Sequence, residues 1–147
     1  MLTNRLIDIL REEESGVYGV SANGGYSRRP YENYTLNISF PCAPDNVEKL
    51  TAAAYAEIEK IQAEGVSDEE VAEVQESQIN DREENLRQNR FWLRQLSAYY
   101  TYDANLDDFY VVEDFMNDLS GEDIQAITNE LIDTEKAIRI VLFPEGD

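Results

Sequence analysis

Residues 34–40 read Tyr34-Thr35-Leu36-Asn37-Ile38-Ser39-Phe40. Tyr34, Leu36, Ile38 and Phe40 fall on one side of an extended chain, and Thr35, Asn37 and Ser39 on the other. Successive side chains of a strand point to opposite faces, so this alternation predicts a half-buried β-strand. Just upstream, residues 17–26 (VYGVSANGGY) read as a second strand with a glycine-rich end. Ser27 to Glu32, with Arg28, Arg29 and Pro30, supply the turn, so the two strands form an antiparallel hairpin. Gly24 and Gly25 serve the backbone geometry of that hairpin.

Helices flank it. Residues 2–14 carry Leu2, Leu6, Ile9 and Leu10 on one helical face, and Ser15-Gly16 ends the run. After the break at Pro41-Cys42-Ala43-Pro44, Asp45 and Glu48 have the spacing of a capping box. Val47, Leu50, Ala54, Ile58 and Ile61 continue as a helical stripe that Gly65 terminates. Ser67 and Glu70 form a second box and open a helix towards Asn89. Its stripe is sparse (Val71, Val74, Ile79, Leu86), which suits a solvated helix or one that packs on a second domain. Phe91, Trp92, Leu93, Leu96, Tyr99, Tyr100 and Tyr102 lie on a further helix and read as core and domain interface. Asp103 to Asp108 is a loop, and Phe109, Val112, Phe115, Met116 and Leu119 mark a short helix. Ser120 with Asp123 opens the last helix, and residues 137–143 (AIRIVLF) close as a strand. Strands segregated from helices predict an α+β fold, an antiparallel sheet with helices packed on one face. Three strands are few for so many helices, and the first helix has nothing before it to pack on. A truncated domain whose N-terminal strands lie elsewhere is the expectation, with residues 1–147 as a single such domain.

The chain has 147 residues, enough for one ordinary domain without a disulfide or metal staple. Its formal charge is -19, from 31 acidic and 12 basic residues. That excludes generic nucleic-acid binding, which needs a basic footprint, and opposes docking on an anionic membrane. The charge serves solubility, or it attracts basic partners. No apolar run approaches the roughly 20 residues that span a bilayer. Cys42 stands alone, and with no histidine in the chain it has no Cys–His pairing to make it a nucleophile. It reads as a small apolar residue.

The same lack of histidine leaves a zinc site only carboxylates and one thiol, a poor donor set. Asp103, Asp107 and Asp108 lack the glycine and terminal glutamate of a calcium loop. No phosphate-binding loop, dinucleotide fingerprint or nucleophile elbow is present. No metal or cofactor is expected in this chain.

The segment Leu10-Arg11-Glu12-Glu13-Glu14-Ser15-Gly16-Val17-Tyr18-Gly19-Val20 resembles the C-terminal half of the M16 family, the pitrilysin/insulinase-like zinc peptidases. There an arginine ends a helix and a tyrosine starts the next strand, and these fall on Arg11 and Tyr18. The resemblance continues through Gly65-Val66-Ser67-Asp68-Glu69-Glu70, Glu84-Asn85-Leu86 with Phe91-Trp92-Leu93, and Val141-Leu142-Phe143-Pro144-Glu145. It implies a partial LuxS/MPP-like metallohydrolase domain. It also implies a chamber shared with an N-terminal half that holds zinc through a His-x-x-Glu-His motif. Arg11 would then grip the substrate peptide backbone, and Tyr18 would donate to the substrate carbonyl or the oxyanion formed from it. The zinc motif is absent here, so this chain alone should be inactive. Read without the resemblance, Arg11 satisfies carbonyls at a helix end and Tyr18 packs across strands.

Two functions are open at this point. One is the non-catalytic, substrate-binding C-terminal fragment of a zinc metalloendopeptidase, with peptide substrate and the zinc-bearing half as partners. The other is a catalytically inactive M16-like interaction or structural subunit. An exposed sheet edge would allow a homodimer or strand addition. The resemblance favours a periplasmic parent protein, and a true start at Met1 would favour the cytoplasm.

Overall fold

Alternation, glycine placement and the caps meet their packing in a computed structural model that describes residues 1–13, 17 and 19–143. The described residues divide into two compact units, one of residues 1–65 with 125–147 and one of residues 66–124.

The first unit holds the hairpin. Strands β1 (Ser21–Ser27) and β2 (Asn33–Ser39) pair antiparallel, with Ala22 opposite Ile38, Gly24 opposite Leu36 and Tyr26 opposite Tyr34. Regular pairing in the first strand therefore starts later than the expected 17, with Val17 making an isolated bridge to Cys42. Leu6, Leu10, Val17, Leu50 and Ala54 form the buried core, and Ala22, Ile38, Phe40 and Cys42 pack against it. Helix α1 (Leu2–Ile7) and helix α2 (Val47–Glu64) supply most of these residues. The expected buried face of β2 holds only at its root. Tyr34 and Leu36 are 53% and 37% exposed, because only the root of the hairpin reaches the core and Leu36 lies opposite Gly24, which brings no side chain. Tyr34 instead stacks on Tyr26, 4.9 Å between centroids.

Helix α2 buries Leu50, Ala54, Ile58 and Ile61, the stripe its sequence predicts. Its start differs from the expected one. Pro44–Asn46 form a 3-10 turn, Asn46 is the N-cap, and no side chain caps the helix. Counted from Asn46, Glu48 stands one residue short of the box position, and the Arg139 guanidinium donates to it at 2.8 Å. Inside the unit, Arg5 of α1 pairs at 2.8 Å with Glu57 of α2, a carboxylate only 5% exposed. Gly65 ends α2 at φ 77°, a conformation that L side chains rarely adopt.

Helix α6 (Gly121–Leu131) meets the end of α2 through a reciprocal set of amides. Gln125 donates to the carbonyls of Gln62 and Ala63, and Asn129 donates to that of Gln62. Gln62 donates in return to the carbonyls of Thr128 and Ile132. Gln62, Ala63 and Thr128 lie in the last turns of the two helices and Ile132 directly follows α6, so side-chain amides converge on carbonyls at two helix ends. Residues 137–143 form no strand, contrary to expectation. Among the described residues the sheet has two strands, and no backbone–backbone hydrogen bond holds 138–143. A strand exists only with a partner, and among the described residues none pairs with this segment.

The second unit is helical. Helix α3 (Asp68–Leu86) opens on the expected box, with the Ser67 hydroxyl accepting from the Glu70 amide and the Glu70 carboxylate from that of Ser67. It ends before the expected Asn89, and helix α4 (Asn89–Tyr102) follows with Phe91 buried. Residues Leu106–Phe109 form a 3-10 turn, so helix α5 runs only over Val112–Asp118. Polar residues of α3 point inward: Gln75 donates to the carbonyls of Asn117 and Leu119. Arg82 donates to the Phe109 carbonyl at 2.6 Å and to Glu113 at 3.3 Å, and lies 4.3 Å from the Phe109 ring centre. Ser120 and Asp123 open α6 as expected, with the Asp123 carboxylate accepting from the Ser120 amide and the Ser120 hydroxyl from that of Asp123. A Cβ on Gly121 would meet the Val66 carbonyl oxygen at 2.7 Å, so this close approach requires glycine.

Candidate functional site

Arg11 sits where the first helix changes its winding. After α1 the chain continues as a π-helix over Asp8–Glu13, a wider turn that is rare and is found disproportionately at functional sites. Leu6 and Leu10 are both 0% exposed and fix the phase of this segment. With Leu10 turned into the core, the next residue, Arg11, is exposed. Among the described residues no ion pair or hydrogen bond engages its guanidinium, so its fork of donors faces solvent. Val17, buried and bridged to Cys42, anchors the chain again. Each of the two residues singled out from sequence thus follows a core anchor in the chain: Arg11 follows Leu10 and Tyr18 follows Val17. Tyr18 lies outside the described residues.

The same unit carries a cleft of about 1150 Å³. Val20, Ile38, Phe40, Tyr55, Ile58 and Val141 are among its lining residues. It is larger than the roughly 300–1,000 Å³ of small-molecule pockets. Its two charged lining residues, Asp133 and Arg139, are already paired, with Lys136 at 2.6 Å and Glu48 at 2.8 Å. Hydrogen bonding from Lys136 lowers the Asp133 pKa, and hydrogen bonding from Arg139 lowers that of Glu48. A wall this apolar, with its charges matched, offers no acid–base pair and suits an extended apolar chain. Sequence reasoning did not find this cleft. Its trace in the sequence was the alternation of Ile138, Ile140 and Leu142, which are 89%, 81% and 92% exposed.

The chain has no histidine, and among the described residues no three His, Cys, Asp or Glu side chains gather around a common point. No helix among the described residues is long and apolar enough to cross a membrane.

Comparison with known proteins gives a family match described as "Peptidase M16 inactive domain" over residues 1–78. A curated relative, a "Zinc protease PQQL-like" protein of Arabidopsis thaliana, is 28% identical over 105 residues, 68% of this chain and 11% of its own length. Among solved structures, a peptidase M16 inactive domain from Pseudomonas fluorescens superposes with a TM-score of 0.77 at 17% identity. It covers 90% of this chain and 31% of that one. The periplasmic protease PqqL from Escherichia coli gives a TM-score of 0.71 at 20% identity, over 88% of this chain and 14% of that one. The chain therefore spans a minor share of each relative, and the structural likenesses establish the α+β fold.

Proposed function

Because the chain belongs to the M16 peptidase inactive-domain family, we propose that it is the substrate-binding, zinc-free part of a zinc-dependent peptidase. It works in a chamber shared with a zinc-bearing half, in the same or a partner chain. The observation that carries this reading is the family match over residues 1–78, which includes Arg11 and Tyr18. The exposed guanidinium of Arg11, next to the fully buried Leu10, is consistent with a group held ready for a peptide backbone. In this reading residues 1–147 are one domain, Arg11 orients the peptide, and Tyr18 donates its hydroxyl to the oxyanion. The parent protein is proposed to be periplasmic.

The test is reconstitution with the zinc-bearing half and measurement of peptide cleavage. Tyr18→Phe is expected to lower kcat by about 10²–10³, the usual cost of one oxyanion donor. Arg11→Ala is expected to raise KM, because backbone gripping is shared by ground and transition states. Unchanged turnover in both variants would sink the assigned roles. A second reading, an inactive structural subunit, is favoured by the exposed Ile138, Ile140 and Leu142. An upstream reading frame or a partner chain carrying His-x-x-Glu-His decides for the peptidase, and the absence of both for the subunit.

A further inference from the structure

Two stretches interrupt the acidic charge of this chain: Ser15 to Tyr31, with Arg28 and Arg29, and Asn85 to Tyr102, with three arginines and no aspartate or glutamate, in a chain with 31 acidic residues among 147. In the second stretch, Arg87 caps the end of α3, and Arg90 and Arg94 follow one turn apart on α4. All three are exposed, and among the described residues none is paired with a carboxylate. Beside them, Leu93, Leu96 and Tyr100 stand at i, i+3 and i+7, and are 69%, 53% and 94% exposed. The inward face of α4 is accounted for by Phe91, which is buried and in ring contact with Trp92 and Phe109. The outward face is therefore an apolar stripe with a basic flank, running along a helix axis.

We propose that this outward face of α4 docks an acidic amphipathic helix of a partner protein. Apolar residues at i, i+3 and i+7 are the spacing with which one helix meets another. A row of arginines on the flank selects a partner with aspartate or glutamate beside its own apolar stripe. The chain's overall charge of -19 opposes acidic partners over most of its sequence, and on α4 an acid-free stretch joins its arginines to an exposed apolar stripe on a helix. The same charge opposes a second copy of the chain and opposes nucleic acid.

The test is fluorescence anisotropy of the whole chain with a labelled synthetic helix of leucine and glutamate, Leu at i, i+3 and i+7 and Glu on the flanks. Saturable binding is expected, weakened at least about tenfold by Arg90→Glu with Arg94→Glu and by Leu93→Ser with Leu96→Ser. Far-UV circular dichroism checks that each variant keeps its helices. Added salt should weaken binding to the parent chain. A peptide with lysine in place of glutamate should not bind. The proposal is overturned by no binding, by equal binding of the lysine peptide, or by variants that bind like the parent. It is also overturned if an oligonucleotide displaces the peptide. Sedimentation that shows a dimer broken by Arg90→Glu with Arg94→Glu would assign the face to a second copy and overturn the partner-protein reading.

Discussion

Glu57 is the one charged side chain buried among the described residues, and its fate depends on Arg5. Removing one partner of a buried pair leaves the other charge in low dielectric without compensation, at a cost of roughly 3–5 kcal/mol. Removing both, with apolar groups of similar volume, is often neutral. Arg5→Met is therefore expected to lower the urea midpoint sharply, and Arg5→Met with Glu57→Met to recover most of the loss. If the double variant is as unstable as the single, the pair serves packing and not charge matching. Sequence reading did not find this pair, because its members lie 52 residues apart and each sits in an ordinary helix. Arg82 was hidden in the same way: it reads as one more polar residue of α3, yet it joins the Phe109 carbonyl, the Phe109 ring and Glu113. Arg11 is singled out by the family pattern alone, and its exposure follows from Leu10 beside it being fully buried.

Helix starts were legible where cap and box lie within four residues, since local spacing decides them. The Ser67–Glu70 box forms, and Ser120 with Asp123 opens α6, as their sequences predict. The Asp45–Glu48 box does not form: Asp45 lies in a 3-10 turn, the N-cap falls one residue later on Asn46, and the Glu48 carboxylate accepts from Arg139, 91 residues away. No local pattern can report such a partner. The π-helical winding around Arg11 was equally invisible, since heptad-like spacing does not separate it from an α-helix. The Ser120–Asp123 box carries a pH prediction. Hydrogen bonds from the Ser120 hydroxyl and amide lower the Asp123 pKa from its ordinary value of 3.8. The folded state therefore holds the proton more weakly than the unfolded chain. Its stabilising contribution is fully present above the unfolded pKa and is lost as pH falls through the folded one. Acid unfolding below pH about 4 should thus be less steep in Ser120→Ala, which removes the hydroxyl, the larger cause of the shift, and leaves the amide. Equal acid slopes for parent and variant, in circular dichroism at fixed temperature, would show that the cap contributes nothing to the pH dependence.

At the scale of the whole molecule, the unmade element is residues 138–143. Their side chains alternate as a strand should, their backbone has no strand partner among the described residues, and three aliphatic side chains face outward. Strand addition would bury Ile138, Ile140 and Leu142, worth roughly 1.5–3 kcal/mol each on full burial. Backbone pairing adds to this, against an association cost estimated at about 4–15 kcal/mol. Two copies could join in this way only weakly, and each brings a charge of -19 to the encounter. The balance predicts salt-dependent self-association: monomers in dilute buffer, and a dimer population that grows with ionic strength as the repulsion is screened. Ile138→Lys with Ile140→Lys should abolish it, since it removes most of the burial and adds like charge directly along the edge. A zinc-bearing M16 half that supplies the partner strand should compete with the dimer and shift it to a heterocomplex. Sedimentation equilibrium across a salt series separates the cases. A chain that stays monomeric at high concentration in strong salt, and remains so with the zinc-bearing half present, has no open edge at 138–143.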